Sequence, residues 1–378
     1  MSYSYGHNRH NDAPRPLIDL IPDSLYLSDE EEFFYYDHNR QIHPEWKAIF
    51  HKTSNRVPRR VRRYSLLYLI LLVVTLIGWK SYFGPLYWAQ RMETVAMDTA
   101  PEYQFDGGNA GVELKHIIMV KKLDKELVPT VENGRRLIVV GDVHGCRQEL
   151  EHLMNKVDFD KKRDHLILVG DIVSKGPDSP GVVSYAASLG ATSVRGNHED
   201  RLLLTHHMIT TTPSDALAEE LLPLNDKKMR ALARKFTKEQ IHWLHQCPVI
   251  LHVGSIGEHM PDISVVHAGL VPNVPLKKQD PYQCMNMRTI DLKTRLPSEG
   301  RDHTPWEKYW NHQQKKKKEK SERSTVIYGH DKKRGRTLKK YSMGLDSGCV
   351  SGGTLTAMVI DGKGNYKIKE VKCKGYIN

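Results

Sequence analysis

Short apolar runs alternate with amphipathic stretches through the C-terminal two-thirds of the chain. Residues 137–140, 165–169 and 192–194 are rich in branched aliphatic side chains and predict strands. Residues 147–157 and 182–189 lie between these strands and have the polar and apolar spacing of helices. Strands that alternate with helices are typical of βαβ units, so we predict an α/β fold.

The pattern continues beyond residue 230. Thr237-Lys-Glu-Gln240 has the form of a capping box and predicts a helix that ends at 246, before Pro248. Residues 263–266 and 325–328 predict two more strands. Lys315–Lys318 and 332–336 carry dense positive charge, and we interpret the region 300–340 as a pair of solvated basic loops.

One apolar run is of a different kind. Residues 64–79 are uncharged, and at ~1.5 Å per residue they would span roughly 24 Å, slightly less than a ~30 Å hydrocarbon core. Aromatic side chains continue to residue 88, where they suit the membrane interface. Four arginines precede the run at 59, 60, 62 and 63, which argues against a buried core helix. We therefore predict a transmembrane signal anchor over 64–88.

The predicted anchor sets the domain organisation. The asparagine-, histidine- and proline-containing residues 1–63 predict a disordered tail, and the positive-inside rule places this tail in the cytosol. Residues 89–134 are expected to form a stalk. Residues 135–378 are expected to form one α/β domain on the opposite side of the membrane.

Charge and cysteine content narrow the classes of function. The net charge is +11, and residues 64–378 hold 46 Lys/Arg against 36 Asp/Glu. This balance favours an anionic substrate, a nucleic acid or an anionic membrane, although a surface that only maintains solubility explains it equally well. The five cysteines form no Cys-x-x-Cys pair, which excludes a zinc finger and leaves room for one or two disulfides in an oxidising compartment.

Side chains that bind metals follow five of the predicted strands. The segments are Gly141-Asp-Val-His-Gly145, Gly170-Asp-Ile-Val-Ser-Lys-Gly176, Arg195-Gly-Asn-His-Glu199, His267-Ala-Gly-Leu270 and Tyr328-Gly-His330. The carboxyl ends of strands are where sites form in open α/β sheets. Carboxylate, amide and imidazole ligands without thiolates suit Mn, Fe, Co, Zn or Mg, and a carboxylate can bridge two such ions.

These five segments resemble the calcineurin-like metallophosphoesterases of the phosphoprotein phosphatase superfamily. The segment 344–357 is similar to the closing strand pair of that superfamily, especially in its bacterial branch. The resemblance covers about 135–360 and implies two packed mixed β-sheets flanked by helices, here preceded by one transmembrane helix. It also implies two divalent metal ions, with a metal-bound hydroxide that attacks phosphorus in line.

The resemblance assigns roles residue by residue. Asp142 and His144 would bind the first metal, and Asp171 would bridge both metals. Asn197, His267 and His330 would complete the second site. His198 matches the histidine that protonates the leaving group and would not be a ligand.

The remaining assignments concern the substrate. Lys175 and Arg195 are the candidate substrate-binding residues, and structural pairing of Arg195 is an equal alternative. Arg288 and Trp306 could reach substrate from the insert before His330, but surface or core roles are expected for them.

The second motif departs from the superfamily. Ser174 and Lys175 replace an Asp-Arg pair. The missing aspartate normally orients and charges the catalytic histidine, so His198 must lack that partner or use another carboxylate, such as Glu199 or Asp200. Lysine offers a point charge where arginine would hold phosphate with two hydrogen bonds, which suits a substrate with many equivalent phosphates.

The variant second motif, the single anchor and the basic domain together resemble the fungal vacuolar zinc-dependent endopolyphosphatases. This resemblance implies zinc, internal cleavage of inorganic polyphosphate, and a vacuole-membrane protein with a lumenal catalytic domain and no nucleic-acid partner. Alternatives from the same superfamily are a protein Ser/Thr or Tyr phosphatase and a dinucleoside-polyphosphate hydrolase. A non-catalytic polyanion-binding protein is the alternative from a different class, and the full set of ligand residues argues against it.

Overall fold

A computed structural model describes residues 58–102, 117–211 and 223–377. The chain divides into two compact units, Met1–Pro85 and Leu86–Asn378. Most of the predicted tail 1–63, and residues 103–116 of the predicted stalk, lie outside the described residues.

The described part of the first unit is helical. Helix α1 spans Arg59–Gly78, a π-helical turn follows at Trp79–Phe83, and helix α2 spans Gly84–Thr99. The run Arg59–Thr99 is long and apolar enough to cross a membrane, judged by its length and composition. A core helix would bury its apolar side chains, whereas no residue of α1 is buried.

The second unit contains three sheets. Their strands are β1 Val120–Lys122, β2 Arg136–Val140, β3 Asp164–Leu168, β4 Thr192–Ser193, β5 Ile250–Ile256, β6 Met260–Val266, β7 Thr289–Ile290, β8 Pro297–Ser298, β9 Thr304–Pro305, β10 Thr325–Tyr328, β11 Thr337–Leu338, β12 Ser342–Gly344, β13 Thr354–Ile360 and β14 Tyr366–Lys372. The larger two sheets have the strand orders β1-β5-β6-β10-β12-β11 and β14-β13-β2-β3-β4, and a small third sheet has the order β8-β7-β9.

Helices cover the outer faces of the two large sheets. They are α3 Arg147–Lys156, α4 Ser179–Ser188, α5 Asn197–Thr211, α6 Leu224–Ala233, α7 Lys238–His245, α8 Pro281–Asn286 and α9 Trp306–Lys316. The predicted capping box is present, because Thr237 accepts from the Gln240 backbone N–H and Gln240 accepts from the Thr237 backbone N–H.

Strand β2 shows why the sheets pack as they do. Leu137 and Val139 join a core cluster with side chains of the six-stranded sheet. Ile138 and Val140 point to the opposite face and join the core beneath α3, α4 and α5. A strand that is apolar on both faces must be covered on both sides. The predicted fold, two packed mixed sheets flanked by helices, is confirmed.

Strand direction brings the motifs together. β2, β3 and β4 are parallel neighbours, so their carboxyl ends lie at one edge of the five-stranded sheet. β6 and β10 are parallel neighbours in the other sheet. The segments that follow these five strands therefore meet along one side of the sandwich, and this is the side where a site can form.

One prediction about the linking regions differs from the structure. Lys315 and Lys316 lie in the last turn of α9 and not in a loop, because Trp306, Tyr309 and Trp310 supply a buried helix face that extends the helix to this point. Cations are favourable at that helix end.

The predicted stalk also contributes to the second unit. Glu93 of α2 pairs with Lys308 of α9 at 2.5 Å, Asp98 pairs with His312 at 2.6 Å, and Met97 is buried. Strand β1 pairs in parallel with β5. These contacts tie the segment to the sheet sandwich on both sides of residues 103–116.

One disulfide is present among the described residues. It joins Cys349, which follows β12, to Cys373, which follows β14. Cys146, Cys247 and Cys284 are free and buried.

Candidate active site

Two groups of potential metal ligands meet at the strand ends. His144, Asp171 and His198 form one group, and Asp171, His267 and His330 form the other, with all ligand atoms of each group within 4.8 Å of one another. Asp171 belongs to both groups. This arrangement is what a bridging carboxylate between two ions requires.

The hydrogen bonds of the imidazoles leave acceptor atoms facing one another. His267 Nδ1–H donates to the Val169 carbonyl at 2.9 Å, and His330 Nε2–H donates to the Asn286 carbonyl at 3.0 Å. In the neutral rings the remaining nitrogens, His267 Nε2 and His330 Nδ1, are lone-pair acceptors, and they lie 3.1 Å apart.

Oxygen acceptors surround the same point. His267 Nε2 also lies 3.1 Å from Asn197 Oδ1 and 3.4 Å from Asp171 Oδ1. Across Asp171, His144 Nδ1–H donates to the Val173 carbonyl at 3.1 Å, and His144 Nε2 faces Asp171 Oδ2 at 3.6 Å. Acceptors that converge need a cation between them. Lys175 Nζ lies 2.9 Å from His144 Nε2 and supplies one such cation on the His144 side, and the cluster as a whole fits a pair of divalent metal ions.

Asp142 lies next to this cluster and contacts the last of the five segments, Tyr328-Gly-His330. Its carboxylate is buried and accepts the His330 backbone N–H at 3.1 Å. Gly329 makes the close approach possible. A Cβ at this position would overlap Asp142 Oδ1 and would lie 2.7 Å from Val169 Cγ2.

The backbone of the site is strained. Nine non-glycine residues among the described ones have positive φ, and five of them are His144, Asp171, Ser174, Lys175 and His330. Left-handed backbone is unfavourable for residues with a side chain and persists where the surroundings impose it. The strained backbone positions therefore lie mostly in the segments that carry the metal-type side chains.

The electrostatics of the cluster indicate a need for positive charge. Burial opposes charge on His267, but Asp171 and Asp142 outweigh burial and raise the pKa of His267 to about 10. Burial likewise opposes charge on Asp171, while His267 and His198 hold the pKa of that carboxyl well below its usual value. By contrast, burial lowers the pKa of His144 to about 3.

His198, predicted to donate a proton and not to bind metal, is a member of the first group of potential ligands. Its ring packs edge to face with His144 at 4.9 Å, and its backbone N–H donates to Asp171 Oδ1 at 3.1 Å. Burial lowers the pKa of His198. Its Nδ1 is buried and makes no hydrogen bond in the described part of the chain. The nearest carboxylate contact is Asp171 Oδ2, 3.9 Å from His198 Nε2. This distance would also allow the two atoms to bind one metal ion.

Neither proposed substitute carboxylate supports His198. Glu199 is fully buried, and its oxygens accept the backbone N–H groups of Asp171, Ile172, Val173 and Gly196 at 2.7 to 3.1 Å. Burial raises the pKa of Glu199 to about 7. This residue joins the second and third motif loops, so its role is to position them. Asp200 pairs with Arg195 at 3.4 Å.

The position of Arg195 corrects its assignment as a substrate-binding residue. The side chain is buried, contacts Asp200 and donates to the His245 carbonyl at 3.4 Å, and it does not line the cavity. The strand end directs this side chain beneath α5 and away from the metal cluster. Structural pairing is the alternative that the geometry favours.

A cavity opens over the cluster, and its lining contains the predicted substrate-binding residue Lys175 together with residues that sequence reasoning did not assign. Its lining includes Lys175, Arg288, Lys332 and Asp346 together with the metal-type ligands. Arg288 was expected at the surface or in the core, and only tertiary structure places it here. Asp346 lies in the segment 344–357 that resembled the closing strands, which was the one signal available for it. Trp306 is buried in the core as expected.

The fold and these ligands define a class of protein, the dinuclear-metal phosphohydrolases. A model of the calcineurin-like phosphoesterase family matches residues 135–351, more than half of the chain. The chain therefore belongs to the calcineurin-like phosphoesterase family, whose members normally bind two divalent metals.

Relatives with assigned names are similar over part of their length. A symmetrical bis(5'-nucleosyl)-tetraphosphatase of Hamiltonella defensa is 35% identical over 178 residues, which cover 46% of this chain and 58% of the relative. The enzyme of the same name from Proteus mirabilis is 38% identical over 137 residues, which cover 35% of this chain and 44% of the relative. The chain thus spans about half the length of these curated relatives.

One solved structure is also similar. It is a crystal structure provisionally described as a diadenosine tetraphosphatase, with 33% sequence identity and a TM-score of 0.52. The match covers 67% of this chain and 97% of that one.

Proposed function

We propose that this chain hydrolyses phosphoanhydride bonds in linear phosphate chains, with dinucleoside tetraphosphates as the first candidate class of substrate. The relatives that carry this activity in their names are 35% and 38% identical over the matched segments. The observation that carries the proposal is the juxtaposition of the acceptor cluster with three cationic side chains in one cavity.

The cations account for binding of the phosphate chain. Lys175, Arg288 and Lys332 line the cavity beside the ligand cluster. The Lys332 ammonium donates to Ser351 Oγ at 2.9 Å, which holds it at the rim. Several cations around one cavity match a substrate with more than one phosphate better than a single phosphomonoester.

The acidic, amide and imidazole side chains at the strand ends form the reacting centre. Two divalent cations, when bound, would stabilise the charge on phosphorus and lower the pKa of water. The residues that would hold them are Asp142, His144, Asp171, Asn197, His267 and His330. His198, fixed by its backbone N–H on Asp171, would supply the proton to the leaving oxygen.

The environment of His198 favours a phosphate leaving group. Ser174 replaces the usual aspartate, His198 Nδ1 has no hydrogen-bond partner in the described part of the chain, and burial lowers the pKa of the imidazole, so less of His198 is in the protonated form that can donate a proton. Terminal phosphates have a second pKa of about 6, far below that of a serine or threonine hydroxyl. A phosphoanhydride therefore needs less help from a proton donor than a phosphoprotein does, which argues against the protein phosphatase alternative.

Inorganic polyphosphate is the second candidate substrate. The cavity is lined by charged, polar and aliphatic side chains, and none of the described lining residues is Phe, Tyr or Trp. Nucleobases are commonly bound by stacking on aromatic rings, whereas a chain of phosphates needs only cations. This observation supports a substrate without a base.

A substrate panel distinguishes these possibilities. The full chain, purified in detergent and loaded with Zn, Mn, Co or Mg, would be assayed on diadenosine tetraphosphate, long-chain polyphosphate and a phosphoserine peptide. We expect ADP as the sole nucleotide product from the first substrate, or shortened chains on sizing gels from the second. A preference for the phosphopeptide would refute the proposal.

Matched variants separate catalysis from simple binding. Asp142→Asn should abolish turnover, and unchanged turnover would instead revive a non-catalytic, polyanion-binding function. Lys332→Ala should raise KM for the phosphate chain about three- to tenfold, whereas its exposed neighbour Lys333→Ala should leave KM unchanged. If Lys332→Ala and Lys333→Ala changed KM equally, the contact of Lys332 with Ser351 would have no specific role in substrate binding.

The anchor leads to a proposal on location. Helix length and composition in Arg59–Thr99, together with the arginines before residue 64, support a single-pass protein with a cytosolic N-terminus. The Cys349–Cys373 disulfide fits an oxidising lumen, such as that of a vacuole. Protease treatment of intact organelles should remove only residues before the anchor. Digestion of the catalytic domain would refute the lumenal placement.

A further inference from the structure

The wall of the cavity that faces the metal ligands is a single short segment, residues 345–352. Asp346, Gly348, Cys349 and Val350 from this segment line the cavity. Asp346 is buried, and its Oδ1 accepts the Gly348 backbone N–H at 3.0 Å. The segment therefore places a carboxylate and several backbone groups beside the reacting centre.

The wall is held in part by its own backbone: the Ser351 N–H donates to the Gly348 carbonyl at 3.0 Å and the Gly352 N–H to the Cys349 carbonyl at 2.9 Å. It contains a 3₁₀ turn at Cys349–Ser351, flanked by Gly348 at φ 71 and Gly352 at φ 83. Glycines at both ends of so short a turn give the backbone freedom to adopt other conformations. Contacts from outside the turn restrict this freedom further.

Those contacts come from the C-terminal residues 372–377, which we call the strap. The Val350 carbonyl accepts the backbone N–H groups of Tyr376 at 2.7 Å and Ile377 at 3.2 Å. Lys372 Nζ donates to the Gly352 carbonyl at 2.7 Å. The disulfide between Cys349 and Cys373 closes the same junction covalently.

The strap is anchored at its other side to the helix that follows the first metal motif. Tyr376 Oη–H donates to Glu149 Oε1 at 3.0 Å, and Lys374 Nζ donates to Gln148 Oε1 at 3.0 Å. Both acceptors lie in the first turn of α3, directly after the segment that holds Asp142 and His144. The strap thus connects the cavity wall to the scaffold of the first metal motif.

We propose that the disulfide-closed strap holds the cavity wall, with Asp346, in its active position, and that reduction of Cys349–Cys373 by a dithiol lowers turnover while the fold persists. The inference deepens the proposed function, because it concerns the same site. In the reduction, the protein S–S bond and the two S–H bonds of the dithiol break. One S–S bond forms within the reductant, and Cys349 and Cys373 each gain a proton and an electron to become thiols.

The test follows turnover and wall mobility in the full chain before and after treatment with dithiothreitol. Alkylation and mass spectrometry verify that Cys349 and Cys373 are reduced. We expect kcat to fall roughly ten- to a hundredfold, as displacement of a catalytic wall by about 1 Å would produce. We also expect faster amide hydrogen exchange in residues 346–352, unchanged metal content, and recovery on oxidation with oxidised glutathione.

Variants make the result specific. Cys373→Ala and the double variant Cys349→Ser with Cys373→Ser should have low kcat that no longer responds to dithiothreitol. Cys247→Ala removes a buried free thiol away from the strap and should keep the full response. A disulfide that only contributes global stability would lower the melting temperature on reduction without lowering kcat at 25 °C.

Two results would overturn the inference. One is a verified reduced protein with kcat within twofold of the oxidised form. The other is unchanged hydrogen exchange in 346–352 after verified reduction. The exchange measurement does not depend on turnover, so a chain that is inactive on every phosphate substrate would refute the proposed function while the strap is still tested.

Discussion

A buried histidine far from any catalytic role makes the stability of this fold sensitive to acid. His165 lies on β3, between the parallel neighbours β2 and β4, and is 5% exposed. Its Nε2 lies 3.0 Å from Thr192 Oγ1. Burial, with a smaller contribution from Arg135, lowers the pKa of His165 to about 4.

The direction of the effect follows from the two states. The unfolded chain takes up the proton near pH 6.5, whereas the folded chain resists it until about pH 4. Stability is therefore complete above pH 6.5 and is lost as the pH falls from 6.5 towards 4. With about 1.4 kcal/mol per pH unit, this group accounts for a loss of about 2.5 kcal/mol between pH 7.5 and 4.5. That loss is a large fraction of the ~5–15 kcal/mol that stabilises a typical domain.

The assay is urea unfolding of the compact unit Leu86–Asn378 at both pH values. His165→Gln keeps a side chain able to reach Thr192 but cannot titrate, so its stability should fall by about 2.5 kcal/mol less than that of the wild type. His242→Gln, at an exposed position, is the control and should follow the wild type. Equal losses for His165→Gln and the wild type would refute the reasoning.

Three further changes test the site and the frame around it. His198→Ala should lower turnover about 10²- to 10⁴-fold while metal content by mass spectrometry stays unchanged, and loss of metal would show that His198 is a ligand. Gly329→Ala should abolish metal binding, measured by calorimetry, because the new Cβ overlaps Asp142 Oδ1. Gly300→Ala is the control: its new Cβ would lie 3.2 Å from the nearest atom, Ser298 Oγ, and this variant should bind metal normally. Thr237→Ala removes one half of the capping box and should lower the free energy of unfolding, measured in urea, by about 1 kcal/mol. A decrease of less than about 0.3 kcal/mol would contradict a capping role for Thr237.

The ligand set was readable from the sequence because the signal is local. Each of the five segments combines an apolar strand with a glycine and a metal-type side chain at its carboxyl end. Strand direction then requires these ends to meet, and the structure brings His144, Asp171, Asn197, His267 and His330 together as expected. Leu137 to Val140 likewise indicated a strand.

Side-chain directions and partners that depend on packing could not be predicted in this way. Arg195 sits in a motif, yet its side chain pairs with Asp200 and does not reach the cavity. Glu199 looked like a partner for His198 and instead accepts four backbone N–H groups from the ligand loops. Arg288 reaches the cavity from an insert whose path depends on the packing of α8 and the small third sheet.

The sequence by itself determined the class of fold, the metal-type side chains at the strand ends and the membrane-length apolar run. These features follow from periodicity, strand ends and composition, which involve neighbouring residues only. Tertiary structure alone decided that the stalk helix α2 pairs with α9 and that the C-terminal strap closes the cavity wall through Cys349 and Cys373. The reason is physical: these contacts join segments that are far apart in the chain, and their pairing depends on how both sheets pack.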